Sequence, residues 1–255
     1  MTNLEKRIQK YYQKYYKRTL NLPNWEEMLK FRLGEEKTEK EKIVNLTKIL
    51  GSFAKKKILD VGCGTGGFAI VAAKNGARVW GIDPDREAVE ICKLKARSLE
   101  KGEANFKLGF AESLGFTRNF FDIVFCYTVL EHVANVEKAL AEMIRVTKPG
   151  GAVYIQTPNY LSCFEGHYKV FWLPLFPKSL ASVYLKLRGR NPEFLKTINY
   201  LTPAKLKRYL ENQKVKLEFL EHEDKRTQGI FNFPLKLFYW LFNIDPQIEL
   251  IIQKV

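Results

Sequence analysis

The stretch Ile58-Leu59-Asp60-Val61-Gly62-Cys63-Gly64-Thr65-Gly66-Gly67 limits the possible folds more than any other part of the chain. An apolar strand runs through glycines directly into a helical pattern, Phe68 to Asn75, which Gly76 ends. Glycines permit that reversal because they adopt backbone conformations closed to other residues. The same alternation recurs downstream. Ala77 to Asp83 reads as a second strand, and Pro84 starts a helix to about Leu99. Asn105 to Leu108 is a third strand and Phe121 to Cys126 a fourth, followed by a helix from Val136 to Val146. Lys148-Pro149-Gly150-Gly151 then turns the chain into a fifth strand, Ala152 to Gln156. Thr202-Pro203-Ala204 opens a helix to about Asn212, Val215 to Leu220 reads as a sixth strand, and Ile248 to Ile252 as a seventh. Apolar strands alternating with helices predict an α/β fold, a mostly parallel sheet with helices on both faces.

The chain divides into four parts on this reading. Residues 1–57 form an N-terminal helical cap, with one helix over Lys6 to Thr19, a break at Pro23, and a second helix from about Glu39 to Leu50. Residues 58–159 form the core that carries the glycine turn. Residues 160–200 are an aromatic insertion, and 201–255 complete the sheet around a second aromatic insertion at 226–246. The two insertions hold 15 of the 34 aromatic residues, including Phe231, Phe233, Phe238, Tyr239, Trp240 and Phe242. They read either as helices packed on the domain or as an apolar lid or membrane-contacting surface.

Charge follows the same division. The net charge is +14, and residues 58–159 balance 12 Lys and Arg against 12 Asp and Glu, so the flanks carry all the excess. Basic flanks suit nucleic acid, anionic lipid headgroups or acidic substrates alike. Hydrophobic residues make up 46% of the chain, which excludes a disordered or collagen-like protein. No apolar run approaches the ~20 residues that span a bilayer, and Met1 to Arg7 offer no secretory apolar segment. The expected location is cytoplasmic, with membrane association open. Cys63, Cys92, Cys126 and Cys163 form no C-x-x-C pair, and His132, His167 and His222 are scattered, so no metal-ligand spacing is read and free thiols are expected.

Read literally, Gly62, Gly64 and Gly67 fit G-x-G-x-x-G with Asp83 sixteen residues on, the pattern of a dinucleotide oxidoreductase. Asp60 counts against that, because a carboxylate before the first glycine is a poor neighbour for a diphosphate and a good one for a cation. Over residues 43–158 the chain resembles the class I S-adenosylmethionine-dependent methyltransferases, in particular the quinone-biosynthesis and small-molecule or lipid enzymes. The resemblance rests on ILDVGCGTGGFA, GIDPD, FDIVFCYTVLEHV and RVTKPGGAVYIQTPN, in the family's order. It implies a seven-stranded Rossmann-like sheet whose last strand is antiparallel, and S-adenosyl-L-methionine as cofactor. It further implies that Asp60 and the backbone of Gly62, Cys63, Gly64 and Gly66 lie against the methionine moiety. Asp83 would accept from the ribose hydroxyls, with Pro84 beside the adenine. Ala111 and Glu112 match the loop over the adenine, where Phe110 stands in place of the family's frequent acid. Tyr127 matches the strand end near the sulfonium.

Methyl transfer from a sulfonium chiefly needs alignment and exclusion of water. A hydroxyl acceptor would benefit from a base. His132, in the family's L-E-H motif after the fourth strand, is the first candidate, with Glu131 and His132 as a helix cap or loop brace the alternative. His167 in the first insertion is the second. Tyr11, Tyr15 and Arg32 are candidate contacts from the cap. No [DN]-P-P-[FYW] follows the fourth strand and no Pro-Cys nucleophile is present, which ranks a nucleic acid below a small molecule as acceptor. The expected acceptor is lipophilic or amphipathic, such as a quinone precursor, a lipid or a lipid-linked sugar, with an anionic membrane surface as a further partner. The rival readings are an RNA or protein methyltransferase and a non-catalytic S-adenosylmethionine-binding protein.

Overall fold

A computed structural model describes residues 2–220 and 245–255 of the chain. Three helices come first: α1 (Asn3–Gln13), α2 (Trp25–Leu33) and α3 (Glu35–Leu50). Thr2 and Glu5 cap α1 reciprocally, each side chain accepting from the other's backbone N–H. The helix thus starts earlier than its tyrosine pattern indicates. Its last turn, Lys14–Thr19, widens into a π-helix. The α2 helix fills the region after Pro23 that periodicity left unassigned, and its weak amphipathic pattern explains why. Gly51, with φ +76°, ends α3.

The sheet strands are β1 (Lys57–Val61), β2 (Arg78–Asp83), β3 (Glu103–Leu108), β4 (Phe121–Tyr127) and β5 (Thr147–Pro158). A two-residue hairpin, β6 (Phe164–Glu165) and β7 (Val170–Phe171), stands apart from β8 (Val215–Leu220) and β9 (Gln247–Lys254). The main sheet has seven strands in the order β3-β2-β1-β4-β5-β9-β8. All pairings among the first five are parallel, and β9 runs antiparallel to both β5 and β8, as the resemblance implies. Order reverses between β1 and β4, so the crevice at their C-terminal ends is the natural ligand site of an open α/β sheet.

Helices α4 (Gly67–Lys74), α5 (Arg86–Arg97) and α6 (Val136–Val146) join the parallel strands. Asp85 rather than Pro84 caps α5, its Oδ1 accepting from Glu87 and Ala88 N–H. The fifth strand is longer than expected, because Lys148 to Gly151 stay in the extended segment across a register shift beside Phe121. One core, around Leu59, Val124, Leu140 and Ile252, fills one side of the sheet; a second, around Ile58, Val71, Val79 and Phe125, fills the other.

A third core lies off the sheet. Tyr12, Tyr16, Leu20 and Leu29 of the N-terminal segment pack with Tyr168, Trp172, Leu185 and Leu195 of the 160–200 insertion. The insertion adds α7 (Lys178–Leu187) and α8 (Glu193–Lys196) before α9 (Pro203–Leu210). Asn21 Nδ2 donates to Gly189 O and Asn191 Nδ2 to Thr19 O, tying the two flanks further. Most of the insertion's large aromatics are therefore core. Its outer face is mostly aliphatic and exposed, through Leu173, Leu175, Leu180, Val183 and Leu187, with Phe171 the one exposed aromatic. The second aromatic insertion, apart from its last two residues, lies outside the described residues. No helix among the described residues is long and apolar enough to cross a membrane.

Candidate active site

The glycine turn is built from backbone hydrogen bonds. Gly62 and Cys63 N–H both donate to Ile82 O, and Gly66 N–H donates to Cys63 O. Gly62 has φ +72°, and a Cβ there would run into the Val129 side chain of the loop after β4. The second strand reaches across to the same turn. Asp83 Oδ2 accepts from Gly64 N–H at 2.9 Å and Oδ1 from Asp85 N–H at 2.8 Å. Asp83 thus braces the turn while the adjacent Asp85 caps the helix. Burial raises the Asp83 carboxyl, and these two backbone donors hold it back.

A cleft of about 330 Å³ opens in front of the turn. Asp60, Gly62, Cys63, Gly64 and Tyr127 line it from the sheet, and Tyr11, Tyr15 and Arg32 close it from the cap. The cap is anchored to the turn itself, because Tyr12 Oη and Thr65 Oγ1 share a hydrogen bond of 2.8 Å. Arg32 Nε donates to Tyr16 Oη at 3.0 Å, and its guanidinium lies over the Tyr12 ring.

Acidic groups converge on the cleft from both sides. Asp60 is buried, and desolvation with the neighbouring Glu39 charge pushes its pKa up to about 7. Glu39 pairs with Lys42 at 2.7 Å, whose ammonium sits 3.8 Å above the Tyr127 ring. Glu35 accepts from Lys95 at 3.0 Å and from Thr65 Oγ1 at 3.4 Å. A desolvated carboxylate at the floor of a cleft is stabilised by a cation and opposed by a diphosphate. The donor set therefore fits a sulfonium nucleoside with an ammonium group. The acidic stripe Glu35, Glu39 and the cation Lys42 were absent from the sequence reading, although their i, i+4 and i+3 spacing along α3 places them on one helix face.

The other expected site residues divide. Gly66, Asp83, Pro84, Ala111 and Glu112 do not line the cleft, although Asp83 is hydrogen-bonded to Gly64, which does. Ala111 is buried beside an exposed Phe110. Oε1 of Glu112 accepts from the N–H groups of Ala134 and Asn135, which joins the loop after β3 to the loop before α6. His132 and His167 come together from distant parts of the chain, with ring centroids 5.0 Å apart, yet neither lines the cleft. Phe194 packs on both imidazoles and on Tyr15, which does line it. Burial, followed by the His167 charge, depresses His132 to about 3, which makes it a weak proton acceptor. Glu131, fully buried between them, is held high by desolvation. Glu165 and Glu131 keep His167 above the usual imidazole range despite its burial. Among the described residues, Glu131, His132 and His167 also form a group whose donor atoms all lie within 4.8 Å of one another. All four cysteines are free and buried, Cys63 and Cys92 with sulfurs 4.0 Å apart beneath the turn.

Comparison with known proteins agrees with this geometry. Residues 59–155 match the family described as a methyltransferase domain. A ubiquinone biosynthesis O-methyltransferase of Azoarcus sp. is 34% identical over 167 residues, 64% of this chain and 66% of that protein. The corresponding protein of Alkalilimnicola ehrlichii is 36% identical over 134 residues, 51% of this chain and 53% of its own. The chain thus spans about half to two thirds of the curated relatives it matches. Among solved structures, an S-adenosylmethionine-dependent methyltransferase from Mesorhizobium loti superposes with a TM-score of 0.59 at 16% identity, covering 82% of this chain and 96% of that one. The magnesium protoporphyrin IX methyltransferase of Synechocystis, solved with S-adenosylhomocysteine bound, gives 0.56 at 15% identity, over 89% and 87%. Strand order, glycine turn and family match agree: the chain carries a methyltransferase domain over residues 59–155 and has the fold of the S-adenosylmethionine-dependent methyltransferases.

Proposed function

We propose that the chain transfers the methyl group of S-adenosylmethionine to an oxygen of a lipophilic or amphipathic small molecule, of the quinone-precursor kind. The observation that carries this reading is the cleft between glycine turn and cap, floored by the buried Asp60 carboxyl and walled by Tyr11, Tyr15 and Tyr127. The names of the curated relatives supply the oxygen acceptor and its chemical kind.

The cofactor brings an activated methyl, so the chain's part is binding, orientation and exclusion of water. Asp60 would face the cationic amino-acid end, and the N–H groups at the glycine turn would meet its polar atoms. Asp83, its carboxylate oriented by Gly64 and Asp85, would accept from the ribose hydroxyls with its remaining lone pairs. Phe110, exposed at the loop after β3, would lie on the adenine. Tyr11 and Tyr15 would shield the reacting centre on the cap side. The depressed basicity of His132 supports alignment over proton abstraction as the main source of rate.

The exposed aliphatic face of the 160–200 insertion supports docking to an anionic membrane, from which a lipophilic acceptor would be drawn. Leu180, Val183 and Leu187 share one face of α7, and Lys178, Lys186 and Arg188 flank them.

The test is methyl transfer from radiolabelled cofactor. Prenylated dihydroxybenzoates in anionic micelles should become labelled. Preferential labelling of tRNA or ribosomal protein would replace this acceptor class. Tight binding of S-adenosylhomocysteine with no transfer to any of them would make the chain a binding protein.

A further inference from the structure

We propose that Glu39 and Lys42, one turn apart on α3, receive the hydroxyl group of the acceptor: Glu39 removes its proton, and Lys42 holds the oxygen anion that forms. The inference deepens the reading of the chain as an oxygen methyltransferase and rests on it.

Transfer to a hydroxyl leaves a proton to be removed, whatever share of the rate alignment supplies. The two histidines are badly placed for that, since neither lines the cleft. Three carboxylates do line it, those of Glu35, Glu39 and Asp60. Glu35 is committed, because Lys95 Nζ at 3.0 Å, Thr65 Oγ1 at 3.4 Å and Arg32 Nη1 at 3.5 Å all donate to it. Asp60 is assigned to the cationic end of the cofactor. Glu39 has only Lys42 as a partner among the described residues. Its Oε1 accepts from Lys42 Nζ at 2.9 Å, while Oε2 lies 2.7 Å from the same ammonium, buried and without an aligned hydrogen bond. A carboxylate oxygen in that state has lone pairs to spare for a hydroxyl proton.

Lys42 is placed to steady the anion. Its ammonium stands 3.8 Å above the ring of Tyr127, the last residue of β4, which the family resemblance sets near the sulfonium. An ammonium carries three donor protons, and only one hydrogen bond, to Glu39, is present. The Glu39 and Lys42 side chains are 10% and 20% exposed, so their charges act where the dielectric is low and their effect is strong. Asp60 and Tyr127 both register them: Glu39 raises each group and Lys42 lowers it. The pair therefore stands within electrostatic reach of the cleft floor and of the strand end at once. Phe31, 49% exposed, and Thr38 line the same cleft at the surface. An exposed ring there offers its face to an aromatic acceptor.

The step balances. Glu39 takes the hydroxyl proton as the oxygen lone pair bonds to the methyl carbon, and the carbon–sulfur bond breaks with its electron pair left on sulfur. Glu39 then returns the proton to solvent through the cleft mouth.

The test uses the full chain at pH 8.5, where a group titrating near 7, such as Asp60, is ionised. Two acceptors are compared, a prenylated dihydroxybenzoate and a nitro-substituted catechol that is already a phenolate at this pH. Glu39→Gln should lower kcat for the first by about 10²- to 10⁴-fold, the contribution of a general base. With the second it should change kcat little, because that acceptor needs no base. Lys42→Met should weaken binding of the coloured nitrophenolate to the S-adenosylhomocysteine complex by about tenfold, a readout that needs no turnover. Lys42→Arg should restore most of that affinity. Glu39→Gln and Lys42→Met should both keep the parent's affinity for S-adenosylhomocysteine. The proposal is overturned if Glu39→Gln slows both acceptors alike or if Lys42→Met binds the nitrophenolate as the parent does. It is also overturned if either variant loses affinity for S-adenosylhomocysteine, which would assign the pair to the cofactor. A parent that methylates no oxygen acceptor would overturn the reading of function and the proton step with it, and the nitrophenolate titration would still decide whether Lys42 holds an oxygen anion.

Discussion

The N–H of Gly64 donates to Asp83 Oδ2 at 2.9 Å, so the turn that ends β1 is shaped by the residue that ends β2. The same carboxylate orders the start of the next helix through Asp85 N–H. Asp83 therefore has two duties, one in folding the turn and one proposed for the ribose, and substitution separates them. Asp83→Asn keeps an acceptor for the turn but loses the charge. Asp83→Ala should weaken S-adenosylhomocysteine binding by about 1.5–3 kcal/mol, the value of a charge-assisted hydrogen bond, with Asn intermediate. Calorimetric affinities equal to the parent's in both variants would remove the ribose role.

Asp60 predicts a pH dependence. Its folded pKa of about 7 lies far above that of an exposed carboxyl, because burial and Glu39 oppose the charge. Between an unfolded value of about 4 and a folded value near 7 the native chain holds the extra proton, so stability falls as pH rises through that window. A cationic ligand selects the ionised form. Its apparent affinity should therefore rise roughly eightfold between pH 6 and pH 7.5, following the ionised fraction of a group titrating near 7. Asp60→Asn should bind more weakly and with a flat profile over that range. A flat profile in the parent would mean that Asp60 does not meet the cation.

Much of this arrangement is legible in the residues and some is not. The strands β1, β2, β4 and β5 and the glycine turn announce themselves, because buried strands read as apolar runs and only glycine suits the reversal; β3, with Phe106 its one buried residue, is fainter. The cap is harder. Tyr11, Tyr12, Tyr15 and Tyr16 are visible as a cluster, but nothing local says that Tyr12 meets Thr65, 53 residues away. The pairing of His132 with His167 is hidden for the same reason, since the insertion's path over the sheet is set by a core of distant aromatics. Aromatic density in that insertion signals burial as readily as exposure. Its outward-facing apolar residues are aliphatic apart from Phe171.

Gly62 carries a stability prediction. Its φ of +72° is strained for any residue with a Cβ, and that Cβ would meet the Val129 side chain. Gly62→Ala should cost on the order of 2–4 kcal/mol, combining backbone strain with overpacking. The midpoint of urea unfolding measures it. Pairing the change with Val129→Ala should recover the packing part only. No loss in the single variant would show that the turn can relax around the added methyl.

The outer face of α7 carries the last prediction. Leu180, Val183 and Leu187 are 60%, 57% and 82% exposed, spaced so that they project together. Exposed apolar side chains beside Lys178, Lys186 and Arg188 suit an interface in which the chains enter the acyl boundary and the cations meet anionic headgroups. Vesicles of phosphatidylglycerol should bind the chain, and phosphatidylcholine vesicles should bind it weakly. Leu180→Glu with Val183→Glu should lower the anionic-vesicle affinity at least tenfold and leave S-adenosylhomocysteine binding unchanged, since neither residue reaches the cleft. Raising salt should weaken the headgroup attraction and spare the apolar part. If the double variant sediments with anionic vesicles as the parent does, this face is not the membrane surface.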